Sequence, residues 1–124
     1  MNSFIIGDVD FGIGDYDFSI EDNVLNLEIY ADEDRFDALC EDEDFEYGWA
    51  LYAPKIYFTD VPFEHKEIEI NDDMLSEYDI ALYMMEHYDF FGKVMISEEG
   101  ICIEGEVDFI EDVKKVSVKL EAKC

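Results

Sequence analysis

Residues 101–109 read Ile-Cys-Ile-Glu-Gly-Glu-Val-Asp-Phe, and this stretch decides the fold because its apolar residues recur at almost every second position. A period of two is typical of a strand with one buried face. The same alternation precedes it at Val94 and Ile96 and follows it from Val116 to Leu120, with turn residues between the segments. The C-terminal third is therefore predicted to be a three-stranded antiparallel meander.

Alternation also recurs earlier in the chain. Residues 18–20 and 25–29 place apolar side chains at every second position on either side of the turn at residues 21–23, which predicts a hairpin. Ile68 and Ile70 alternate with glutamates in the same way. Strands therefore account for most of the predicted secondary structure.

Two stretches are predicted to be helical. After Asp72, apolar residues follow at helical spacing as far as Tyr88, which predicts a packed helix over about residues 73–88. A shorter helix is predicted from Asp32 to Leu39, where the acidic start suits the helix dipole. The sequence thus predicts a single compact domain, residues 1–124, of the α+β class. It would be mainly antiparallel β, built as a small sandwich or a curved sheet with the helix packed on it.

The composition restricts the classes of partner. The chain has 34 Asp and Glu residues against 8 Lys and Arg residues in 124 residues, a formal net charge of −26. It is also 49% hydrophobic and 15% aromatic, which indicates a folded domain rather than a disordered chain. Direct binding to nucleic acid or to an anionic membrane is disfavoured, because both require Lys and Arg.

The sequence predicts a cytoplasmic protein without a cofactor. No apolar run approaches the roughly 20 residues of a spanning helix, and no basic segment precedes the short apolar patch near Met1. Cys40, Cys102 and Cys124 form neither a C-x-x-C motif nor a Cys/His cluster, so reduced thiols are expected. The sequence indicates no oligomeric state.

A calcium or metal site is the first alternative function. Carboxylate oxygens are abundant in Asp8-x-Asp10, in Asp15-x-Asp17 and in the run at residues 41–44. The first pair fails the EF-hand spacing, since Ile13 stands where Gly is required and Ser19 where Glu is required.

Other metal and enzyme chemistry is less specific still. His65 with Glu67 and Glu69 could share one strand face, a weaker candidate for a transition metal. An enzyme with an unidentified carboxylate site is a further alternative. No nucleotide-binding or nucleophile motif is present, and no carboxylate pair stands out as catalytic.

The acidic surface points to a basic protein as partner. Alternating residues on a strand lie roughly 6.6 Å apart on one face, so Glu104, Glu106 and Asp108 are expected to form a row of negative charge that resembles a phosphate backbone. The densest stretch runs from Asp8 to Glu46, with 16 acidic residues and only Arg35 to oppose them.

The predicted function is therefore stoichiometric inhibition of a basic protein. Its most concrete forms are an immunity-type protein that neutralises a nucleic-acid-targeting toxin, and a DNA mimic that occupies a nucleic-acid-binding protein. The carboxylates would occupy the partner's phosphate-binding cleft, and the nearby aromatic side chains would anchor the contact. The predicted partner-binding residues are Asp32, Glu33, Asp34, Asp37, Glu41, Asp42, Glu43, Asp44, Phe45, Glu46, Tyr47 and Trp49.

Charge repulsion should make the stability depend on salt. We expect the melting temperature to rise as sodium chloride is increased from about 10 mM to 500 mM, because screening weakens repulsion between exposed carboxylates. Scanning calorimetry at a series of salt concentrations measures this directly. A melting temperature that falls over this range would contradict the interpretation.

Overall fold

The computed structural model describes residues 2–41, 53–63, 66–83, 87–97, 100–108 and 113–120. These residues form eleven strands and two short helices. In chain order the elements are β1 (Ser3–Ile6), β2 (Val9–Asp10), β3 (Asp15–Glu21), β4 (Val24–Tyr30), α1 (Glu33–Glu41), β5 (Lys55–Pro62), β6 (Glu67–Ile70), α2 (Asp72–Glu77), β7 (Asp79–Tyr83), β8 (His87–Tyr88), β9 (Phe90–Ser97), β10 (Gly100–Asp108) and β11 (Val113–Leu120).

The strands form two sheets in which the paired neighbours run antiparallel. Sheet 1 has the order β2-β1-β11-β10-β9-β6, and sheet 2 has the order β3-β4-β5-β7-β8. The prediction of an α+β fold that is mainly antiparallel β is confirmed. No helix in the described ranges is both long enough and apolar enough to cross a membrane.

The two sheets share one apolar core. Phe4 of β1, Ile103 of β10 and Leu27 of β4 belong to the same cluster of buried residues, although they come from different sheets. Phe58 of β5 meets Phe90 of β9 edge to face, with ring centroids 6.3 Å apart. Within the described ranges no polar or charged side chain is buried, so the charge of the described residues lies outside this core.

The predicted meander is confirmed as β9, β10 and β11. Ile103 in the central strand lies opposite Val94 on one side and Val118 on the other, and the three side chains are fully buried. Two residues further along β10, Gly105 lies opposite Gly92 of β9. A Cβ atom at Gly105 would clash with the backbone oxygen of Phe91, so only glycine fits at this position of the β9–β10 ladder.

The predicted N-terminal hairpin is also confirmed. Its closing pair is Glu21 and Val24, and the two intervening residues, Asp22 and Asn23, have φ angles of 53° and 62°. Positive φ at both positions defines a type I′ turn, whose twist matches that of the flanking strands. Asn and Asp tolerate this conformation better than other non-glycine residues.

The helix predicted over about residues 73–88 is wrong in its extent. The helix α2 ends at Glu77 after six residues, and its N-cap is Asn71, whose side-chain oxygen accepts the N–H of Met74 at 3.1 Å. Tyr78 is extended, and the next residues form β7, paired with β5. The apolar run at residues 80–82 fits both the helical and the strand periodicity. These residues form a strand that is paired on both sides, and all three are buried. The shorter helix predicted from Asp32 to Leu39 is confirmed as α1.

The expectation of reduced thiols is wrong for Cys102. This residue is disulfide-bonded and buried in β10, whereas Cys40 of α1 is free and exposed. Cys124 lies outside the described residues. Neighbouring strand residues point to opposite faces, so Cys102 lies on the face of sheet 1 that is turned away from the shared core.

We expect Gly105→Ala to lower the free energy of unfolding by about 1–3 kcal/mol, because the added methyl group has to displace the neighbouring strand. Urea denaturation followed by circular dichroism measures the change. Glu106→Ala is the matched control, since it removes an exposed side chain from the same strand. Equal stability of Gly105→Ala and Glu106→Ala would show that β9 and β10 do not approach closely at Gly105.

Candidate functional site

The helix α1 presents part of the predicted partner-binding set. Asp32 precedes the helix, and its Oδ1 accepts the N–H groups of Asp34 at 3.0 Å and Arg35 at 3.3 Å, which caps the first turn. The helix is held to the core by Phe36, whose ring centroid lies 6.1 Å from that of Phe11. Because one face is anchored in this way, the acidic residues of α1 remain exposed or half-buried.

The predicted residues fall into three groups. Asp32, Glu33 and Asp34 lie together at the start of α1. Asp37 and Glu41 are exposed further along α1. They follow Glu33 at four-residue spacing and therefore lie on the same face of the helix as Glu33. The others lie outside the described residues, and they are Asp42, Glu43, Asp44, Phe45, Glu46, Tyr47 and Trp49.

An open groove of about 640 Å³ joins the start of α1 to the β3–β4 hairpin. We call it the acidic groove. The described residues that line it include six carboxylates and two tyrosines, and none of them is basic. These residues are Gly14, Asp15, Tyr16, Asp17, Glu28, Tyr30, Ala31, Asp32, Glu33 and Asp34.

A close backbone approach brings the two acidic segments together. The N–H of Gly14 donates to the carbonyl oxygen of Tyr30 at 2.9 Å. A Cβ atom at Gly14 would lie 3.0 Å from the Cα of Asp32, closer than most Cβ contacts. The absence of a side chain therefore lets the first residues of β3 lie beside the N-terminus of α1.

Like charges face one another across the hairpin. Asp17 lies directly opposite Glu28 in the β3–β4 ladder, and both side chains are exposed. Directly opposed like charges destabilise a strand pair. The Tyr30 hydroxyl relieves part of this charge by donating to Glu28 Oε2 at 2.8 Å. That hydrogen bond, together with some burial and the charges of Glu28, Asp15 and Asp17, raises the pKa of Tyr30 above its ordinary value.

Two basic residues next to groove-lining residues, Arg35 and Lys55, make contacts of their own. Arg35 donates from Nε to the carbonyl oxygen of Asp10 at 2.6 Å. Lys55 places its Nζ over the rings of Tyr30 and Tyr57 at 5.3 Å and over that of Tyr83 at 5.9 Å. Such cation–π contacts hold the ammonium group among the rings. Neither Arg35 nor Lys55 is among the residues that line the acidic groove.

Beside these rings the structure joins three polar side chains that the sequence analysis did not connect. The Tyr57 hydroxyl lies 3.1 Å from Asp79 Oδ1 and 2.8 Å from His87 Nδ1. A carboxylate only accepts hydrogen bonds, so the Tyr57 hydroxyl donates to Asp79, and His87 can donate to the Tyr57 oxygen in the tautomer that carries its proton on Nδ1. Burial, followed by the hydrogen bond and charge of Asp79, raises the pKa of Tyr57 to about 12.

The predicted row of negative charge on β10 is not isolated. Glu104 and Glu106 share the outer face of sheet 1, but Lys93 of β9 lies opposite Glu104, and Lys115 of β11 lies opposite Glu106. Lys93 also forms an ion pair with Glu67 of β6 at 3.5 Å. Cross-strand pairing of opposite charges makes this face mixed rather than uniformly acidic.

The described residues do not gather a metal site. Within them, no three His, Cys, Asp or Glu side chains are placed to hold a metal ion. Asp10 has a structural role, because its Oδ1 accepts the N–H groups of Phe4 at 3.1 Å and Gly12 at 3.0 Å. His65 and most of the run at residues 41–44 lie outside the described ranges.

The sequence analysis missed the part of the groove that β3 and β4 contribute. The dense acidic stretch from Asp8 to Glu46 includes Asp15, Asp17 and Glu28, but none of the three is among the predicted partner-binding residues. The signal was present in the alternation, because the odd-numbered residues of β3 and the even-numbered residues of β4 share one face of a two-residue hairpin.

Comparisons with protein-family models, with curated proteins and with solved structures found no match.

We expect the tyrosinate absorbance of the native protein to include a step near pH 12 that is lost in Tyr57→Phe. Because the pKa of Tyr57 is higher in the folded state than the ordinary value of 10.0, its contribution to stability is complete below pH 10 and is lost as the pH rises to about 12. Asp79→Asn should move the step to lower pH. A difference curve between wild type and Tyr57→Phe that is centred near pH 10 would contradict the hydrogen-bonded arrangement.

Proposed function

We propose that this protein binds a basic protein stoichiometrically and that the acidic groove is its main contact. The observation that carries the proposal is the groove itself, in which carboxylates from β3, β4 and α1 converge and no basic residue lines the described surface. Solubility alone does not require such an arrangement, since a net charge of magnitude about 2–8 suffices for a small domain.

The groove chemistry favours a partner that otherwise binds phosphates. Lys and Arg side chains in a nucleic-acid-binding cleft are spaced to meet successive negative charges. The carboxylates of the acidic groove would occupy those side chains and exclude the nucleic acid. The most concrete form of the function is an immunity-type inhibitor of a nucleic-acid-targeting toxin or a DNA mimic.

A tyrosine of the groove adds an apolar component to the contact. Tyr30 is 36% exposed, so its ring can be covered by a partner. Tyrosine is enriched among the residues that dominate binding energy at interfaces. No observation on the described residues favours a metal-binding module or a carboxylate enzyme, and neither is proposed.

The cytoplasmic location predicted from the sequence stays a prediction. The disulfide bond at Cys102 is unusual for that compartment, because structural disulfides persist mainly in oxidising environments. Thiol alkylation followed by mass spectrometry of protein taken directly from its source would decide between a reducing and an oxidising compartment. Full alkylation of Cys102 would favour the cytoplasm.

We expect neutralisation of the groove to slow association with the partner. The partner is first recovered from the source lysate at low salt and released by raising the salt concentration. Association is then measured with wild-type protein and with a groove variant that combines Asp17→Asn, Glu28→Gln and Asp34→Asn. At low salt this variant should associate about tenfold more slowly than wild type, and its association rate should depend less on salt. The reason is that the electric field of the groove carboxylates steers the partner toward the groove.

The matched control carries Glu104→Gln, Glu106→Gln and Asp108→Asn, which removes the same number of charges from the mixed face of sheet 1. This control should retain most of the association rate and should still prevent the partner from binding nucleic acid. Equal slowing of both variants would show that the total charge acts without the groove. Recovery of no stoichiometric basic partner would overturn the proposed function.

A further inference from the structure

Within the described residues, strand β3 is a long edge of sheet 2. It pairs there with β4 on one side, and all of its seven residues are exposed. In the described residues the other three sheet edges are shorter, since β2 and β8 have two residues each and β6 has four. A long edge strand offers a row of backbone donors and acceptors to another strand.

The free backbone groups can be assigned from the hairpin. In a two-residue hairpin the closing pair, here Glu21 and Val24, is hydrogen-bonded, and hydrogen-bonded pairs alternate along the ladder. The N–H groups of Phe18 and Ile20 therefore point away from β4. The N–H of Tyr16 has the same direction and agrees with this assignment, because it donates to Asp15 Oδ1 at 2.8 Å rather than to β4.

The two faces of β3 differ in chemistry. Tyr16, Phe18 and Ile20 lie opposite buried residues of β4 and so belong to the inner face, yet they are 45%, 42% and 41% exposed. The outer face carries Asp15, Asp17 and Glu21 instead. Half of the edge is therefore apolar and unpacked, and the other half is acidic and continuous with the acidic groove.

We propose that β3 accepts an extended segment of the basic partner as an additional strand of sheet 2. The apolar side chains of that segment would cover Tyr16, Phe18 and Ile20, and its Lys or Arg side chains would meet Asp15, Asp17 and Glu21. The segment is thus recognised as one in which basic and apolar residues alternate. This inference rests on the proposed function, because it specifies how the basic partner binds.

Charge decides against a second copy of this chain as the occupant. Antiparallel pairing of two β3 strands about Phe18 would place Asp15 opposite Glu21 of the other copy, and Asp17 opposite Ser19. Opposed carboxylates destabilise a strand pair, whereas opposed carboxylate and ammonium groups stabilise it. A strand in which basic and apolar residues alternate complements both faces of β3, whereas a second copy of β3 complements only the apolar face.

The experiment uses two capped ten-residue peptides of lysine and valine as probes. In the first peptide the two residues alternate, and in the second five lysines precede five valines. Binding to the full chain is measured by fluorescence anisotropy at low salt, and amide hydrogen exchange is followed by NMR. The alternating peptide should bind at least about tenfold more tightly and slow exchange at the amides of Phe18 and Ile20 about tenfold or more.

A pair of variants isolates the backbone donor. Phe18→Ala and Phe18→Pro both remove the ring, but only proline also removes the outward N–H, which the ladder with β4 does not use. The alternating peptide should bind Phe18→Pro about fivefold more weakly than Phe18→Ala, which corresponds to one net hydrogen bond. If Phe18→Pro does not fold, an alternating peptide N-methylated at every second residue replaces it, and this peptide should lose the same affinity on wild-type protein.

Three results would overturn strand addition. The first is equal affinity for both peptides without slowed exchange at Phe18 and Ile20, which indicates charge attraction alone and leaves the proposed function standing. The second is slowed exchange at these amides in a concentration-dependent dimer, which identifies a second copy as the occupant. The third is binding of neither peptide, while the captured partner still associates through the groove residues.

Discussion

The shared apolar core has to outweigh the mutual repulsion of the surface carboxylates, and this constraint orders the rest of the structure. Within the described ranges no charged or polar side chain is buried, so the strands direct their charges to solvent, and most of their apolar positions enter the core, with β3 as the exception. Two antiparallel sheets meet this demand well, because their alternation separates the two kinds of side chain along every strand. The charges of the described residues therefore lie on the outside of the molecule.

Where the few cations lie then determines which surfaces stay acidic. The outer face of sheet 1 places Lys93 and Lys115 opposite glutamates, so repulsion on this face is relieved within the sheet. At the corner formed by β3, β4 and α1, Asp17 lies opposite Glu28 instead of a lysine, and Tyr30 relieves only part of this charge. Opposed carboxylates lower stability, and a basic partner would reverse that cost on binding.

Much of the fold could be predicted from the sequence, because alternation at residues such as Ile103 and Leu27 directly reports a half-buried strand. The extent of α2 could not, since the apolar residues 80–82 fit either period and only their pairing with β5 decides between them. The α1 part of the acidic groove was predicted from charge density. The shared face of β3 and β4 follows from their alternation, but its approach to α1 depends on the contact of Gly14 with Asp32. The lysines opposite Glu104 and Glu106 depend on strand register. Neither the approach nor the register leaves a local signal in the sequence.

The apolar stripe on β3 has a consequence for handling the protein. The carboxylates of Asp15, Asp17 and Glu21 repel those of a second such edge, as charged residues do on many natural edge strands. High salt screens this repulsion, whereas Tyr16, Phe18 and Ile20 stay exposed beside outward-pointing backbone N–H groups. High salt therefore favours edge-to-edge association in concentrated samples, and purification and crystallisation are best carried out at low to moderate ionic strength.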